Sequence, residues 1–391
     1  MTVVHSVPFW LPQTQPWLHT QISHLPANIH SHIVCDGTEN LDQFSLPNIR
    51  NLSRLTTWER LRLKAQRTWT QGRRGYPVEK HALRCGARLL HSHFGNIGWI
   101  NLAACRAARA KHVVTFYGLD VGYLPRLDPR WIDRYQALFQ QVDRVLCEGP
   151  HMARCIEDLG CSRDKVEIQH LGVPLGDIAF RPRTWDGRAP LRVLLASAFR
   201  EKKGIPYALE ALGRLQRQVP LEITLIGDAS AADPRSVKEK EKIFATLSRQ
   251  DLTGKVRLLG FQPHSVFLEQ SYRHHVFLSP SITASDGDTE GGAPVSIIEM
   301  AASGIPVISS THCDIPAIVQ HRVTGLLAPE RDADGLLDQL LWLIENRNEW
   351  ARLLVSARKH VESEFNASTQ GERLAGIYGR LVYPPAEPAM N

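Results

Sequence analysis

The sequence predicts an α/β protein built from two Rossmann-like halves, each with a parallel sheet and crossover helices. Short apolar runs alternate with stretches of helical periodicity, a pattern typical of strands joined by crossover helices. These runs lie at residues 113–116, 142–146, 191–196, 221–226, 256–259, 276–279 and 306–309. The chain has 391 residues, 43% of them hydrophobic, which is enough for more than one core. The segment 174–190, rich in Pro, Gly and charge, interrupts the pattern and is the predicted linker, which gives domains over 1–177 and 178–391.

In the first half, two motifs place polar residues at the ends of predicted strands. The run His91–Gly98 includes His93, and the run Val113–Val121 includes Tyr117. A tyrosine donates a hydrogen bond but has no charge at neutral pH. A single histidine at a strand end is more often a structural hydrogen-bonding group, so both a structural and a functional role stay open for His93.

The first strand of the second half leads into a cationic loop. The strand that begins at Val193 is followed by Arg200 and Lys203. Fixed cations stabilise the negative charge that a diphosphate leaving group gains as its bond breaks. The alternative for Lys203 is a solvated loop lysine. Two later strands end in Gly227 and in Gly260, with Phe261 next to the second, and such glycines open a crevice in many α/β proteins.

A pair of carboxylates flanks a predicted helix start further along the chain. Pro294 suits the first turn of a helix and Gly304 suits the position after its end, which predicts a helix over about 294–303. Glu290 then lies in the preceding loop, whereas Glu299 lies inside the helix among apolar residues. A carboxylate in such surroundings needs hydrogen-bond donors, which the vicinal hydroxyls of a ribose supply. The alternative is a surface loop followed by a helix in which Glu299 pairs with an arginine.

The two residues after Glu290 are glycines. Gly291 and Gly292 allow the backbone to approach a ligand closely, and free N–H groups at the start of a helix favour a diphosphate. This combination indicates a sugar-nucleotide site.

These motifs resemble glycosyltransferase family 4, the retaining nucleotide-sugar transferases with two facing Rossmann-like domains of the GT-B type. The family signature is two glutamates separated by seven residues, and here eight separate Glu290 from Glu299. The run from Glu299 to Val307 matches the family well. The resemblance implies a cleft between the domains and a last helix, about 367–382, that returns to the first domain.

The resemblance also implies roles for individual residues. Glu299 would hold the ribose, and Glu290 would orient the donor sugar. Lys203 and the amides of Gly291 and Gly292 would hold the diphosphate. The strand ends marked by Gly227, Gly260 and Phe261 would contact the diphosphate and the base.

Two positions depart from the family pattern. Ser197-Ala198 stands where the family has Gly-Arg, so Arg200 is the candidate replacement for the missing arginine. Tyr117 stands where a histidine holds the donor sugar, and His93 would take over part of that polar contact.

The implied reaction moves a hexose from a UDP- or GDP-hexose to a glycan or lipid-linked acceptor in polysaccharide biosynthesis. It requires neither a metal nor a cofactor. The pair Asp286 and Asp288 has the Asp-x-Asp form that binds metal in other sugar transferases, but we interpret it as part of a glycine-rich loop. Two alternatives remain, a nucleotide-sugar-binding protein without turnover and a sugar-nucleotide epimerase.

Composition restricts the location and the partners. There is no run of 18 apolar residues, no signal-peptide pattern at the N-terminus and no Cys-x-x-Cys among seven cysteines, so we expect a cytoplasmic protein with free thiols. The segment from Arg54 to Arg88 contains ten Lys or Arg residues and only two acidic ones. Its interleaved apolar residues are Trp58, Leu61, Leu63 and Trp69. This segment predicts either contact with an anionic membrane or acceptor phosphate, or a solvated helix face. Nucleic acid is not expected, because no nucleic-acid module accompanies the charge.

Overall fold

The computed structural model describes residues 1–12, 15–54, 56–59, 61, 65 and 76–384. The chain forms two compact units, the first from Met1–Gly172 with Ala367–Asn391 and the second from Val173–Asn366. Six of the ten cations in the basic segment between Arg54 and Arg88 lie outside the described residues. Among the described residues, no helix combines the length and the apolar character needed to cross a lipid bilayer.

The first unit contains a parallel sheet of seven strands in the order β3, β2, β1, β4, β5, β6, β7. The strands are β1 (Thr2–Trp10), β2 (His30–Thr38), β3 (Ile49–Asn51), β4 (Leu89–His93), β5 (Lys111–Thr115), β6 (Arg144–Cys147) and β7 (Val166–Ile168). Its helices, over the described residues up to Gly172, are α1 (Pro16–Ser23), α2 (Tyr76–Cys85), α3 (Gly95–Ala108), α4 (Leu124–Leu127), α5 (Arg130–Gln141) and α6 (Pro150–Asp158).

The second unit contains a parallel sheet of six strands in the order β10, β9, β8, β11, β12, β13. The strands are β8 (Leu191–Ala196), β9 (Leu221–Ile226), β10 (Val256–Gly260), β11 (Val276–Ser279), β12 (Val307–Ser310) and β13 (Leu326–Ala328). The helices are α7 (Ile205–Leu215), α8 (Pro234–Arg249), α9 (His264–Ser271), α10 (Val295–Ser303), α11 (Ile315–Ile318), α12 (Ala333–Glu345) and α13 (Trp350–Glu364). The predicted α/β class with two parallel-sheet domains is therefore confirmed.

The last helix, α14 (Ala367–Val382), packs on the sheet of the first unit. Its Leu374 and Tyr378 are fully buried in one apolar cluster with Val3, Leu89 and Val113 from three strands of that sheet. The predicted return of the terminal helix is thus confirmed. Because its buried side chains belong to this core, the helix is part of the first unit, whereas the predicted domain over 178–391 included it.

The predicted linker packs against the second unit. Trp185 is 7% exposed and belongs to a core cluster of that unit. The guanidinium of Arg183 is buried and donates from Nε and Nη2 to the carbonyl of Ser271 at 3.2 Å and 3.0 Å. The tryptophan and the arginine therefore hold the segment 174–190 on the second unit. The chain passes from the first unit to the second after Gly172.

In each sheet the chain adds strands first on one side of the first strand and then on the other. In the first unit the change of side lies between β1 and β4, and in the second it lies between β8 and β11. In open α/β sheets, ligands bind outside the carboxyl ends of the strands at such switch points. The loops after β8 and β11 contain Lys203 and Glu290, and His93 is the last residue of β4.

Candidate functional site

The loops that follow β8 and β11 contact each other through Gly204. After β8 the chain makes a 3₁₀ turn over Glu201–Lys203, and Gly204 then adopts a φ of 62°. A Cβ atom at Gly204 would overlap the carbonyl oxygen of Pro280. The N–H of Ile282 also donates to the carbonyl of Lys202 at 2.8 Å. Because glycine tolerates both the positive φ and the close approach, Lys203 is held beside the loop that carries Glu290.

The carboxylate of Glu290 lies at the centre of a charged cluster, with only 6% of its side chain exposed. Lys203 Nζ lies 2.8 Å from its Oε1 and 2.9 Å from its Oε2, and Ser281 Oγ donates to Oε1 at 2.7 Å. Lys202 Nζ lies 3.9 Å from Oε2. Burial raises the pKa of Glu290, but the two ammonium groups and the hydrogen bonds outweigh it and lower this pKa to about 2. Glu290 is therefore ionised at neutral pH.

The backbone of Glu290 is held by a buried histidine. The N–H of Glu290 donates to His312 Nε2 at 3.1 Å, and His312 Nδ1 lies 2.7 Å from Oε1 of Glu330. Because Nε2 accepts a hydrogen bond, the ring proton belongs on Nδ1 and is donated to Glu330. The other oxygen of Glu330 accepts the N–H of Thr283 at 2.7 Å. This relay connects both ends of the loop after β11.

Lys202 and one further cation, Arg200, approach Asp288 in the same loop. Lys202 Nζ lies 3.1 Å from Oδ1 of Asp288, and Arg200 Nη1 lies 3.8 Å from Oδ2. The second amino group of Arg200 lies 2.8 Å from Asp233. Arg200 is thus directed toward aspartates, whereas Lys202 and Lys203 are the cations beside Glu290.

A charged cavity of about 190 Å³ lies next to these residues. Asp286 at its edge pairs with Arg235 at 3.0 Å, so both carboxylates of the Asp-x-Asp segment have cationic partners. The lining carries five cations and four acids, namely Arg200, Lys202, Arg235, Lys238, Lys242, Glu201, Glu239, Asp286 and Asp288. This surplus of cations suits an anionic ligand.

The helix predicted after Glu290 is confirmed as α10. It begins at Val295, with Pro294 directly before it and Gly304 after its end at a φ of 83°. Gly291 has a φ of 78°, and both Gly291 and Gly292 are buried. The two glycines thus lie in the turn that leads into the helix.

Glu299 on α10 pairs with a histidine. Its carboxylate is 9% exposed, and its Oε1 lies 2.7 Å from Nε2 of His264, whose side chain is 44% exposed. The hydrogen bond to Glu299 raises the pKa of His264, although burial acts in the opposite direction. The partner is therefore an imidazole at the start of α9 and not the arginine of the alternative interpretation.

The strand-end glycines of the second unit lie side by side. The N–H of Gly227 donates to the carbonyl of Gly260 at 2.8 Å, and the two residues have φ values of 125° and 66°. A side chain at Gly227 would overlap the carbonyl of Ser197. Phe261, the next residue after β10, is 52% exposed. Contacts of these residues with a diphosphate or a base stay predictions.

In the first unit, the structure brings the predicted residues His93 and Tyr117 together. His93 Nδ1 lies 2.7 Å from the hydroxyl of Tyr117, and His93 Nε2 lies 3.1 Å from Nδ1 of His5. Burial lowers the pKa of His93 well below its ordinary value and raises that of Tyr117 well above its own. Asp120 orders the loop by accepting the N–H groups of Gly95 at 2.7 Å and Tyr117 at 3.0 Å. Both predicted side chains are therefore uncharged hydrogen-bonding groups at neutral pH.

Comparison with known proteins identifies the family of the chain. Residues 190–346 match the family described as Glycosyl transferases group 1, and residues 15–177 match Glycosyltransferase Family 4. The chain is 32% identical to an amylovoran biosynthesis glycosyltransferase of Erwinia amylovora, over 74% of this chain and 69% of the relative. The chain belongs to glycosyltransferase family 4.

Another relative and a solved structure extend the comparison. A protein of Escherichia coli strain K12 that is named for colanic acid biosynthesis is 31% identical over 85% of this chain and 80% of its own length. The family 4 chain is also similar in fold to Anabaena HepE, solved in complex with UDP and glucose. The TM-score is 0.77 at 16% identity, with 97% of this chain and 100% of HepE covered.

Three residues that contact the predicted site residues were not themselves predicted from the sequence. His312 supports the backbone of Glu290, His264 pairs with Glu299, and Lys202 lies between Glu290 and Asp288. His264 and His312 each follow the carboxyl end of a strand, β10 and β12, by a few residues. A search for polar residues just beyond strand ends would have found both.

Proposed function

We propose that the protein is a retaining glycosyltransferase that moves a hexose from a nucleotide diphosphate sugar to a glycan or lipid-linked sugar acceptor in polysaccharide biosynthesis. The observation that carries the proposal is the pair of the buried Glu290 carboxylate and the partly buried Lys203 at the switch point of the second sheet. The two relatives named for exopolysaccharide biosynthesis and the complex of HepE with UDP and glucose support the substrate class.

The charges of the site allow a substrate diphosphate to replace the carboxylates as the partner of the two lysine ammonium groups. Without substrate, Lys203 is neutralised by Glu290, and Lys202 is shared between Glu290 and Asp288. A diphosphate brings charges that compete for both ammonium groups, with the amides of Gly291 and Gly292 as further donors. As Lys203 turns to the phosphate, the carboxylate of Glu290 becomes available to accept a hydroxyl of the donor sugar. Glu299 would accept the hydroxyls of the ribose, in competition with His264.

The proposed chemical step needs no enzyme nucleophile. The bond between the anomeric carbon and the phosphate oxygen breaks, and the acceptor oxygen bonds to the same face of that carbon. The proton of the acceptor hydroxyl passes to the departing phosphate oxygen. Lys203 and Lys202 stabilise the charge that develops on the diphosphate. In the first unit, Tyr117 is proposed as a hydrogen-bond donor to a sugar hydroxyl, with its orientation set by His93.

A substrate screen tests the proposal. The purified protein is incubated with UDP- and GDP-hexoses, and thermal shift, release of nucleoside diphosphate and the anomeric configuration of the product are measured. We expect stabilisation and slow hydrolysis with one donor, and a product that keeps the donor's configuration. An inverted product would contradict the retaining step. Binding without any turnover over the whole panel would favour the alternative of a nucleotide-sugar-binding protein.

A variant of Glu299 tests the proposed ribose contact. Glu299→Gln should weaken nucleotide binding by about 1–3 kcal/mol, the free energy of a hydrogen bond to a charged group. Calorimetry measures the affinity. The matched control is Glu269→Gln, which removes a carboxylate of the same unit that is 54% exposed and paired with Arg273. Equal affinities of the two variants would exclude Glu299 from the nucleotide site.

We also infer that the basic segment between Arg54 and Arg88 contacts anionic lipid. Ten cations with interleaved aromatic and leucine residues contribute about 1 kcal/mol each near such a surface, and salt weakens the attraction. Sedimentation with vesicles tests this inference. At low salt, anionic vesicles should bind more protein than neutral ones, and equal binding would contradict a role at the membrane.

A further inference from the structure

A cluster of two histidines and one cysteine in the first unit is not used by the proposed reaction. His32 lies on β2, and His81 and Cys85 lie on α2. One nitrogen of each imidazole and the sulfur of the cysteine lie within 4.8 Å of one another. All three residues are half-buried, so the cluster borders solvent. We propose that His32, His81 and Cys85 form a binding site for a thiophilic divalent cation of the zinc type.

The distances between the side chains fit tetrahedral coordination. Zinc binds imidazole nitrogen at about 2.0–2.1 Å and thiolate sulfur at about 2.3 Å, so two nitrogens on one tetrahedral ion lie about 3.3 Å apart. His81 Nε2 and His32 Nδ1 are 3.3 Å apart. A sulfur on the same ion lies about 3.6 Å from each nitrogen by the same geometry. The sulfur of Cys85 lies within 4.8 Å, so a movement of about 1 Å by its side chain completes the set.

The backbone positions of the cluster are fixed by packing. His81 and Cys85 are four residues apart on one helix, the spacing that places two ligands on the same face. The helix α2 packs on the sheet through Val78 and Ala82, which share a buried cluster with Val34 of β2. The ligands therefore come from two elements that already contact each other, which is what a metal site requires.

The protonation of the cluster suits a metal ion. Burial lowers the pKa of both imidazoles, and His32, Arg50 and Arg84 lower that of His81 further. The two facing nitrogens share a hydrogen bond of 3.3 Å, so an ion that binds both replaces the proton between them. Burial raises the pKa of the Cys85 thiol, so binding releases its proton. Both arginines are exposed, and solvent therefore screens their repulsion of the ion.

A second histidine cluster, His5, His91 and His93, is a weaker candidate. All three are fully buried. Both nitrogens of His91 already bond to hydroxyls, those of Tyr378 at 2.6 Å and Thr115 at 2.7 Å. A dication there would have to displace hydrogen bonds in the core without a carboxylate or thiolate ligand. The cluster on β2 and α2 offers a thiolate and an open side toward solvent instead.

Titration with cobalt(II) tests the proposal, because cobalt replaces zinc in such sites and absorbs light. We expect one cobalt ion to bind, with a thiolate-to-cobalt charge-transfer band and the intense visible bands of tetrahedral coordination. Zinc should displace the cobalt. Cys85→Ser should abolish the charge-transfer band, and His81→Gln and His32→Gln should each weaken binding at least tenfold. The matched control is Cys155→Ser, which alters another helical cysteine four residues after a histidine, His151.

Alkylation of the unaltered protein gives an independent measurement. The rate of modification of Cys85 by iodoacetamide is compared with and without zinc by mass spectrometry, with Cys155 as the internal reference. Zinc should slow the modification of Cys85 at least tenfold and leave that of Cys155 unchanged. The proposal is wrong if cobalt gives no charge-transfer band, if the band persists in Cys85→Ser, or if zinc protects neither cysteine or both equally. These outcomes do not depend on the glycosyl-transfer proposal.

Discussion

The pair of Glu290 and Lys203 predicts a measurable coupling energy in the second unit. The pKa of Glu290 is lowered from an ordinary 4.5 to about 2, which corresponds to about 3 kcal/mol of preference for the charged form. This value includes the opposing effect of burial and the help of Lys202 and Ser281. Lys203 is the nearer of the two cations, at 2.8 Å, so we expect about 1.5–3 kcal/mol of coupling between Lys203 and Glu290.

A double-mutant cycle measures this coupling. The variants are Lys203→Met, Glu290→Gln and the double variant. Because the chain has two units, a global unfolding curve does not isolate the pair, whereas hydrogen exchange of the β8 and β11 amides reports on the second unit alone. A carboxylate with a lowered pKa stabilises the fold above its ordinary pKa and loses this effect as the pH falls toward 2. Neutral pH therefore shows the full coupling.

The control is a pair of similar distance on the surface. Lys240 Nζ lies 2.7 Å from Asp228, with side chains that are 41% and 34% exposed. Solvent screens such a pair, and its coupling should be about 0–1 kcal/mol. A coupling below about 0.5 kcal/mol for Lys203 and Glu290 would refute the reasoning, because the buried pair would then behave like the exposed one.

Three further predictions concern single residues. Since the pKa of His264 is raised, its pairing with Glu299 stabilises the fold below the ordinary pKa of 6.5, and this stabilisation is lost as the pH rises through the raised pKa. His264→Gln should therefore lower the melting temperature more at about pH 6 than at about pH 9, and an equal effect at both would argue against the pair. Gly204→Ala should destabilise the protein by more than about 1 kcal/mol, measured by hydrogen exchange of the β8 amides. Gly254→Ala is the control, because Gly254 has open space around it, and a similar effect of both variants would contradict the close approach of Gly204 to Pro280. Tyr378→Phe should cost about 1–3 kcal/mol in exchange of β4 because it leaves a buried His91 nitrogen unpaired, and a loss no larger than that of the exposed Tyr383→Phe would show that the contact is weak.

The strands that sequence patterns predicted are those in which apolar residues predominate. Residues 276–279 are all buried and form β11, whereas residues 191–196 form β8, in which Arg192 is exposed. The strand β1 was not predicted, because His5 and Ser6 interrupt its apolar residues. His5 is nevertheless fully buried, with Nδ1 bonded to His93. A polar residue that finds a partner in the core gives no local signal of a strand.

The prediction of site residues from the sequence had the same limit, because it also relied on local patterns. Lys203 and Glu290 could be predicted because each belongs to a short motif around glycines. Their supporting residues depend on contacts that are distant in sequence, such as those from His312 to Glu290 and from His264 to Glu299, 22 and 35 residues apart. The packing of the segment 174–190 on the second unit could not be predicted for a related reason, since Trp185 and Arg183 are anchored by residues that lie far along the chain.

The placement of α14 affects the order in which the units mature during synthesis. The second unit is continuous and is complete once Asn366 has been made, whereas the first lacks part of its core until α14 follows. While the ribosome translates the whole second unit, the partners Leu374 and Tyr378 are still missing from the cluster that contains Val3, Leu89 and Val113. During this interval an apolar face of the first sheet is uncovered, and a nascent chain in this state is a natural client for chaperones that bind exposed apolar surface.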